Sequence, residues 1–453
     1  MFGKIKATII LALLATVAGC AVQKDKNKRL TDYVNPFIGT TTLWDSIDLG
    51  YNPTRRAWGA ETFPGSSLPN SMVQVTPVTM WRSGSGYQYE DTIIHAFVHT
   101  SKGHWNLCYV PLIAVSGNVD PKSYYTGYSH DNESASPGYY QVYLKKYDIN
   151  AEVTSSLRCG YHKYTYKNGK GKKLLVDLSH SNEHIRSWNI EKSDDNVFSG
   201  YQQTGPTFYF YAVTNHKIKD IESLKDGDAE VRIVNFINNE NINDPLEMKV
   251  GFSYVSVENA KKNLEAEILT KDFAQVRNEA SDTWEGLLSK IQVSGGTEEQ
   301  KETFYSALYK AFLWPILLSD VNGEYVDAKG EVVNKGFRYY SEPSFWDDYR
   351  NKLTLLGMVS PDVTADVLKS ITDYGEIRGF MPRFFHGDHA STFVTGSYLR
   401  GIRDFDVQHA YKILLNNAFA EGEGSRPHIK EYMERGWISE MDIKDPKLET
   451  VAK

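Results

Sequence analysis

The sequence has few cysteines and no excess of basic residues. Only three of its 453 residues are cysteine, Cys20, Cys108 and Cys159, so a multi-cysteine disulfide framework is excluded, and their spacing matches no zinc site. The formal net charge is −7 and no basic stripe is present, which argues against nucleic acid as a partner. Beyond the N-terminal region, no stretch is apolar for long enough to cross a bilayer. The composition is therefore that of a globular chain, with 41% apolar residues, and its length predicts two or three domains.

The first residues have the pattern of a targeting segment. Lysines precede the apolar stretch 7–15, which is too short to span a bilayer, and residues 17–20 read VAGC. That tetrapeptide resembles a bacterial lipobox, which implies cleavage before Cys20 and lipidation of its thiol. The alternative is an ordinary secretory signal with an incidental cysteine. We therefore expect a lipoprotein of the bacterial cell envelope, periplasmic or anchored to the outer membrane, with residues 1–20 as signal peptide and 21–31 as tether.

Residues 32–257 are dominated by a period of two. Around residues 246–254, for example, every second side chain is large and apolar, and polar turn clusters separate such runs. Many short strands without helical periodicity predict a large antiparallel β-sandwich. In an exported protein the two cysteines of this region, Cys108 and Cys159, could pair, and two free buried thiols are equally consistent with the sequence.

After residue 257 the period lengthens. Apolar side chains recur every three to four residues across 258–293, which predicts one or two linker helices. Thr297 and Gln300 resemble a capping box that opens the next helix, and Pro315 ends it. Further helical windows follow at residues 346–358, 361–377, 389–402, 406–419 and 427–435. Successive helices without strands predict the paired hairpins of an α/α toroid, so we expect an α+β multidomain chain in which residues 294–453 form the first half of an (α/α)6 barrel.

The stretch 337–352 combines aromatic side chains with three carboxylates and two arginines around one proline. Aromatic faces stack on the C–H patches of a sugar ring, and carboxylates and guanidinium groups fix its hydroxyls, so this mixture predicts a site for a flat polar ring. The alternative is an ordinary helix start capped by Ser344, with Trp346 and Tyr349 buried as core. Asp348 is expected to face solvent.

Five segments carry a family resemblance when they are taken together and in order. They are residues 35–40 (NPFIGT), 62–77 (TFPG, then MVQVTP), 86–100 (GYQYED, then FVHT), 319–325 (SDVNGEY) and 345–350 (FWDDYR). This series resembles glycoside hydrolase family 92, the calcium-dependent exo-α-mannosidases.

The resemblance implies a β-sandwich joined by helices to an (α/α)6 barrel, with the active site at their junction. It implies hydrolysis of terminal α-mannosides, with the α-1,2 linkage as the expected case, by inversion of configuration. Inversion requires an acid and a base carboxyl group roughly 6.5–9.5 Å apart. A mannose-containing glycan is the expected partner, and Ca²⁺, a hard cation that takes oxygen ligands, is the implied cofactor.

The resemblance assigns substrate-binding roles in the helical half. Trp346 and Asp347 match the family's Trp-Asp pair in the pocket for the terminal sugar. Arg350 matches the arginine that follows the pair.

Three further substrate-binding residues are expected in the sandwich. Trp81 matches the tryptophan of the N-terminal pocket loop; the alternative is an aromatic residue at the sandwich edge. The chain departs from the family's Ser-His-Thr-His pattern after His99, and there His104 and Trp105 are expected to form an outer platform for sugar.

Two family motifs are missing from the sequence, a Gly-Asn-Glu-Pro-Ser-His type segment and a Gly-Asn-Asp-x-x-Gly type segment. They carry the acid, the base and most calcium ligands, so catalytic residues are expected beyond Lys453 and no metal ligand is identified. We therefore expect a C-terminally truncated chain that is aggregation-prone and inactive alone, whose barrel a downstream chain would complete. The alternatives are a mannose-binding fragment without catalysis, and a sandwich-plus-toroid phosphorylase, for which no phosphate-binding cluster is present.

Overall fold

The computed structural model describes residues 28–43, 50, 60–102, 105–237, 240–383, 387–422, 424 and 426–439. Within these ranges the strands all precede residue 334, and nearly all precede the first α-helix. Their bounds are β1 Ser66–Ser67, β2 Gln74–Val78, β3 Ile93–Ile94, β4 Ala96–Val98, β5 Ser101–Lys102, β6 Trp105–Asn106, β7 Leu112–Ser116, β8 Thr126–Gly127, β9 Glu133–Ser136, β10 Tyr139–Leu144, β11 Ile149–Ser155, β12 Cys159–Tyr166, β13 Lys172–Val176, β14 Ser187–Asp194, β15 Val197–Gln203, β16 Thr207–Thr214, β17 Ile218–Asp226, β18 Ala229–Phe236, β19 Leu246–Ser253, β20 Tyr325–Val326 and β21 Val332–Val333.

Two large antiparallel sheets form the N-terminal part, as predicted. One has seven strands in the order β1-β2-β4-β7-β13-β18-β17, and the other has eight in the order β14-β15-β16-β19-β12-β11-β10-β9. Side chains alternate between buried and half-buried along β16, where Phe208, Phe210 and Ala212 point into the core. Because side chains from both sheets belong to one buried cluster, the apolar period of two is explained by two sheets packed face to face.

The chain then continues as helices. Their bounds are α1 Val257–Glu267, α2 Phe273–Leu288, α3 Glu298–Ala311, α4 Phe345–Asp348, α5 Lys352–Val359, α6 Pro361–Arg378, α7 His389–Leu399, α8 Val407–Phe419 and α9 Ile429–Arg435. Short 3-10 turns lie at Leu30–Tyr33 and His130–Asn132.

The linker consists of two helices, α1 and α2, which cover the outer face of the eight-stranded sheet. Leu264, Ile268, Phe273 and Val276 of the linker form a buried cluster with aromatic side chains of β10 and β12. The approach of α1 is close because β19 has glycine at position 251: a Cβ there would lie 2.2 Å from the carbonyl oxygen of Ala260.

One local signal in the sequence is confirmed at the start of α3. The capping box at α3 is present, since the Thr297 hydroxyl accepts from the Gln300 amide and the Gln300 side chain accepts from the Thr297 amide. The window 346–358 is divided into α4 and α5 because the chain turns at residues 349–351, where Asn351 caps the second helix. Cys108 and Cys159 are both free and buried.

The described helices do not close into a ring. Consecutive helices pack in pairs, and large apolar side chains stay exposed on α5, α7, α8, α9 and the residues after α9. These are Met358, Leu399, Tyr411, Phe419, Tyr432, Met433 and Trp437. Within the described ranges, none of the helices combines the length and apolarity needed to cross a membrane.

A buried polar network joins the sandwich, the linker and the segment after α3. Glu267 at the end of α1 accepts hydrogen bonds from the Ser156 hydroxyl and the Arg158 amide and pairs with the Arg158 guanidinium at 2.8 Å. The same guanidinium donates through Nε to the Ser319 carbonyl. The next residue, Asp320, accepts hydrogen bonds from side chains of β19 and α1. This network fixes the position of the segment that leads from α3 to α4.

Candidate functional site

A cavity of about 160 Å³ lies where residues 60–63 meet the first helices of the C-terminal half. A cavity of about 150 Å³ holds one benzene ring, so this one has room for a single six-membered ring. Three parts of the chain line it: residues 60–63, the end of α3 with the residues after it, and the turn that contains α4. The polar lining residues are Glu61, Thr62, Lys310, Ser344, Asp347, Asp348 and Lys352, and the large apolar ones are Phe63, Leu313 and Trp314.

Lys310 enters the cavity wall from the last turn of α3. Its ammonium group donates to the Pro36 carbonyl at 2.9 Å and to the Thr62 hydroxyl at 2.7 Å. Both partners are neutral, and burial lowers the pKa of Lys310 to about 7. The lysine therefore places a readily deprotonated amine beside the cavity.

Asp347 and Asp348 occupy the short helix α4. The Ser344 hydroxyl donates to the Asp347 carboxylate, which is otherwise exposed. Asp348 is only 7% exposed and pairs with Lys352 at 3.0 Å, and burial raises the pKa of its carboxyl group above the ordinary value. The prediction that Asp348 faces solvent is therefore wrong, because the lysine one turn later provides a buried counter-charge that sequence position alone does not reveal.

Glu61 faces this pair from the N-terminal part of the chain. It adopts a left-handed backbone conformation with φ of +48°, and its Oε1 atom is buried without a hydrogen-bond partner among the described residues. Burial raises the pKa of Glu61 to about 7. Its carboxyl group packs against Gly84, where a Cβ would lie 2.2 Å from Oε1.

The loop that contains Gly84 is held by two asparagines. The Asn182 side chain accepts from the Arg82 amide and donates to the Ser83 carbonyl. The Asn106 amide donates to the Gly84 carbonyl at 2.6 Å. Asn106 belongs to β6, so the sandwich fixes the surface against which Glu61 rests.

Of the predicted sugar-binding residues, Asp347 is the one that lines this cavity. The alternative prediction, that Trp346 and Tyr349 are buried as core, is wrong for Trp346, which is 49% exposed. Tyr349 is half-buried, packs against the main core and stacks on His389 with ring centroids 4.2 Å apart. Ser344 does stand at the cap position of α4, but its hydroxyl donates to Asp347 and makes no capping bond. The Arg350 guanidinium lies over the Tyr349 ring, outside the cavity lining.

The predicted residues of the sandwich lie near the Gly84 loop. Trp81 is half-buried between His95 and His180, with ring centroids 5.9 and 5.7 Å away. Trp105 is 39% exposed in β6, next to the asparagine that holds the loop. Trp81 precedes Gly84 in the same loop and Trp105 precedes Asn106, but neither tryptophan lines the cavity. His104 and Cys20 lie outside the described residues.

The histidine of the FVHT motif belongs to a buried, hydrogen-bonded pair of histidines. His99 is fully buried, its Nδ1 donates to the Val110 carbonyl, and its Nε2 lies 2.9 Å from Nε2 of His162. The Tyr164 hydroxyl is hydrogen-bonded to Nδ1 of His162. Burial lowers the pKa of His99 to about 3, so both rings are neutral and pair as donor and acceptor.

The sequence reasoning missed Glu61, Lys310 and Trp314. Glu61 immediately precedes the TFPG segment that carried the family resemblance, so its position in the chain was a usable signal. Lys310 reads as the basic residue expected in the last turn of a helix, and its burial follows only from the approach of residues 36 and 62.

The residues described do not fit a calcium ion. Among them, no group of three His, Cys, Asp or Glu side chains lies close enough together to share a metal. The cavity carboxylates are also accompanied by two lysines, whereas Ca²⁺ takes six to eight oxygen ligands.

Comparison with known proteins gives two adjoining family matches. The model of the glycosyl hydrolase family 92 N-terminal domain matches residues 33–265, and that of the glycosyl hydrolase family 92 catalytic domain matches residues 259–453. No curated protein sequence gives a match.

Solved structures with the same fold come from Bacteroides thetaiotaomicron. The chain superposes on the family GH92 α-mannosidase BT3965 with a TM-score of 0.80 and 24% identity, covering 90% of this chain and 59% of that one. For the family GH92 inverting mannosidase BT2199 the TM-score is 0.82 and the identity 21%, covering 93% of this chain and 60% of that one. The present chain thus spans about three-fifths of the length of these structures. The family models match nearly the whole chain from residue 33 onward, and the chain belongs to glycosyl hydrolase family 92.

Proposed function

We propose that the chain supplies the mannose-binding part of an α-mannosidase that acts on terminal α-linked mannose of glycans, with the α-1,2 linkage as the expected substrate. The cavity between Glu61 and Asp347 is the observation that carries this proposal. Its volume suits one sugar ring, and its carboxyl, ammonium and hydroxyl groups match the donors and acceptors of ring hydroxyls. The B. thetaiotaomicron relative BT3965, which shares the fold, has also been solved in complex with mannoimidazole.

The proposed reaction is hydrolysis with inversion, for which the acid and base come from residues other than those described. Asp348 is paired with Lys352, and Asp347 accepts the Ser344 hydroxyl. Among the described lining residues, Glu61 remains as one carboxyl group without a partner, and inversion requires two carboxyl groups on opposite sides of the sugar. Any calcium of the complete site would likewise take its ligands mainly from other residues.

Calorimetric titration of the chain with methyl α-mannoside tests this proposal. We expect a dissociation constant of about 1 mM or tighter, unchanged by EDTA, and weaker binding of methyl α-glucoside. We expect no release of nitrophenol from an aryl α-mannoside, with or without added calcium. Absence of mannoside binding would contradict the proposed site, and robust turnover would contradict the placement of the acid and base elsewhere.

Two further parts of the proposal concern the rest of the molecule. We propose that the exposed apolar face of α5 to α9 packs against further helices of the toroid, in this polypeptide or a second one; failure of the isolated chain to bind a hydrophobic dye would contradict this.

We also propose that a lipid on Cys20 anchors the protein in the bacterial envelope. Fatty-acid labelling that persists in the Cys20→Ala variant would contradict the anchor.

A further inference from the structure

We propose that Glu61 contacts the sugar and determines which hydroxyl pattern the cavity accepts, with its carboxyl group hydrogen-bonded as a neutral acid to a ring hydroxyl. This inference rests on the proposed mannose site. It adds Glu61 to that site, on the side of the sugar opposite Asp347. A neutral carboxyl group carries both a donor and an acceptor, whereas a carboxylate only accepts. A neutral carboxyl group held in a fixed direction can therefore make two hydrogen bonds to one hydroxyl group of the sugar. The same hydroxyl in the epimeric sugar points in another direction and cannot make both bonds.

The first support is the unused hydrogen-bonding capacity of Glu61. Its Oε1 atom is buried and has no partner among the described residues, although leaving a buried oxygen without a hydrogen bond is unfavourable. Glu61 is one of the residues that line the cavity, so a ligand hydroxyl that reaches its carboxyl group would satisfy it. Structural carboxylates in this protein, such as Glu267, are in contrast fully engaged.

The second support is the way in which the chain holds the side chain in place. Glu61 adopts a backbone conformation that is uncommon for a residue with a side chain. Its carboxyl group then lies in the space that any side chain at position 84 would occupy, with Oε1 and Cδ 2.2 and 2.5 Å from an ideal Cβ. The loop at Gly84 is itself anchored to β6 by Asn106. The carboxyl group thus rests against a loop of the N-terminal half that is itself fixed in position.

The charged groups around the cavity are compatible with a neutral carboxyl group. Lys310 on α3 is directed to the Pro36 carbonyl and the Thr62 hydroxyl, and Lys352 on α5 pairs with Asp348. Asp347 on α4 lines the same cavity and accepts the Ser344 hydroxyl. Burial raises the pKa of Glu61 to about 7, so the neutral form is abundant at and below neutral pH.

The sign of the pH dependence follows from this arrangement. A bound sugar removes water from Glu61 and uses its proton, so binding takes up a proton when the free carboxyl group is ionised. The affinity for methyl α-mannoside should be nearly constant well below pH 7 and should fall above pH 7. The fall is about tenfold per pH unit if the chain binds the sugar only when Glu61 is neutral. Between pH 6 and pH 8.5 the expected loss is about 30-fold.

The test compares the full chain with the Glu61→Gln variant, using methyl α-mannoside as the probe in calorimetry. Glutamine keeps a donor and an acceptor but does not titrate, so the affinity of the variant is expected to be the same at pH 6 and pH 8.5. Proton uptake on binding, measured in buffers of different ionisation enthalpy, should vanish in Glu61→Gln and persist in the matched surface variant Glu265→Gln. Persistence of the pH dependence and proton uptake in Glu61→Gln would overturn the role of Glu61, because another group such as Lys310 would then be responsible.

A second variant tests the geometry independently. The methyl group of Gly84→Ala would displace the Glu61 carboxyl group, which is the movable end of a flexible side chain, so the fold should be retained. We expect this variant to lose most of its affinity at every pH; unchanged affinity would overturn the proposal. If the wild-type chain binds no mannoside at any pH, the mannose site itself fails, whereas binding without pH dependence overturns the role of Glu61 alone.

Discussion

Replacement of Asp347 by alanine is expected to weaken the binding of methyl α-mannoside by about 100-fold, close to 3 kcal/mol. A hydrogen bond to a charged acceptor contributes about 1.5–3 kcal/mol, and a carboxylate can accept from two neighbouring hydroxyls of a sugar ring. The fold should tolerate the change because Asp347 is exposed and its protein partner, Ser344, is a neutral hydroxyl. Calorimetry at pH 6 and thermal unfolding of the same sample measure both effects.

A matched control is available for Asp347. Asp362 is also an exposed aspartate in the first turn of a helix, on α6, and it does not line the cavity. The Asp362→Ala variant should therefore bind the mannoside as the wild type does. If Asp347→Ala and Asp362→Ala bind methyl α-mannoside with equal affinity, Asp347 does not contact the sugar.

Replacement of Glu267 by alanine is expected to lower the free energy of unfolding by about 3–5 kcal/mol. The change leaves the Arg158 guanidinium buried without its counter-charge, at 7% side-chain exposure. It also removes the acceptor of the Ser156 hydroxyl and of the Arg158 amide. The loss should appear as a lower urea midpoint for the transition that reports on the sandwich and its linker helices.

The control for this variant lies on the same helix. Glu265 is exposed and approaches Lys261 only at 3.8 Å, so Glu265→Ala should change stability by less than about 0.5 kcal/mol. A midpoint for Glu267→Ala that equals that of Glu265→Ala would show that the buried pair does not hold α1 to the sandwich.

The fold could be predicted where a period repeats over many residues. Alternation along β16 and β19 and the three-to-four residue spacing of α1 and α2 reflect which faces are buried, and the structure buries those faces. The split between α4 and α5 was not predictable in the same way. Their sequence continues a helical apolar pattern, but the chain turns before Asn351, whose side chain accepts from the Lys352 amide and starts a new helix.

The site was predictable only in part because residue type does not reveal burial or distance. Asp347 could be identified from the aromatic and acidic stretch around it. Lys310, by contrast, looked like an ordinary C-terminal helix cation, but its ammonium group is held by residues 36 and 62, which are far from it in sequence. Asp348 looked like a surface charge, but it is buried and paired with Lys352 one turn later. The left-handed conformation that brings Glu61 against Gly84 has no signature at a glutamate.

A crystal structure of the chain soaked with mannoimidazole tests the central claim most directly. We expect one sugar-like ring in the cavity at the junction of the two halves, with the Glu61 carboxyl group on one side and Asp347 on the other, both within hydrogen-bonding distance of ring hydroxyls. A ring bound elsewhere, or a ring in this cavity that contacts neither carboxyl group, would contradict it.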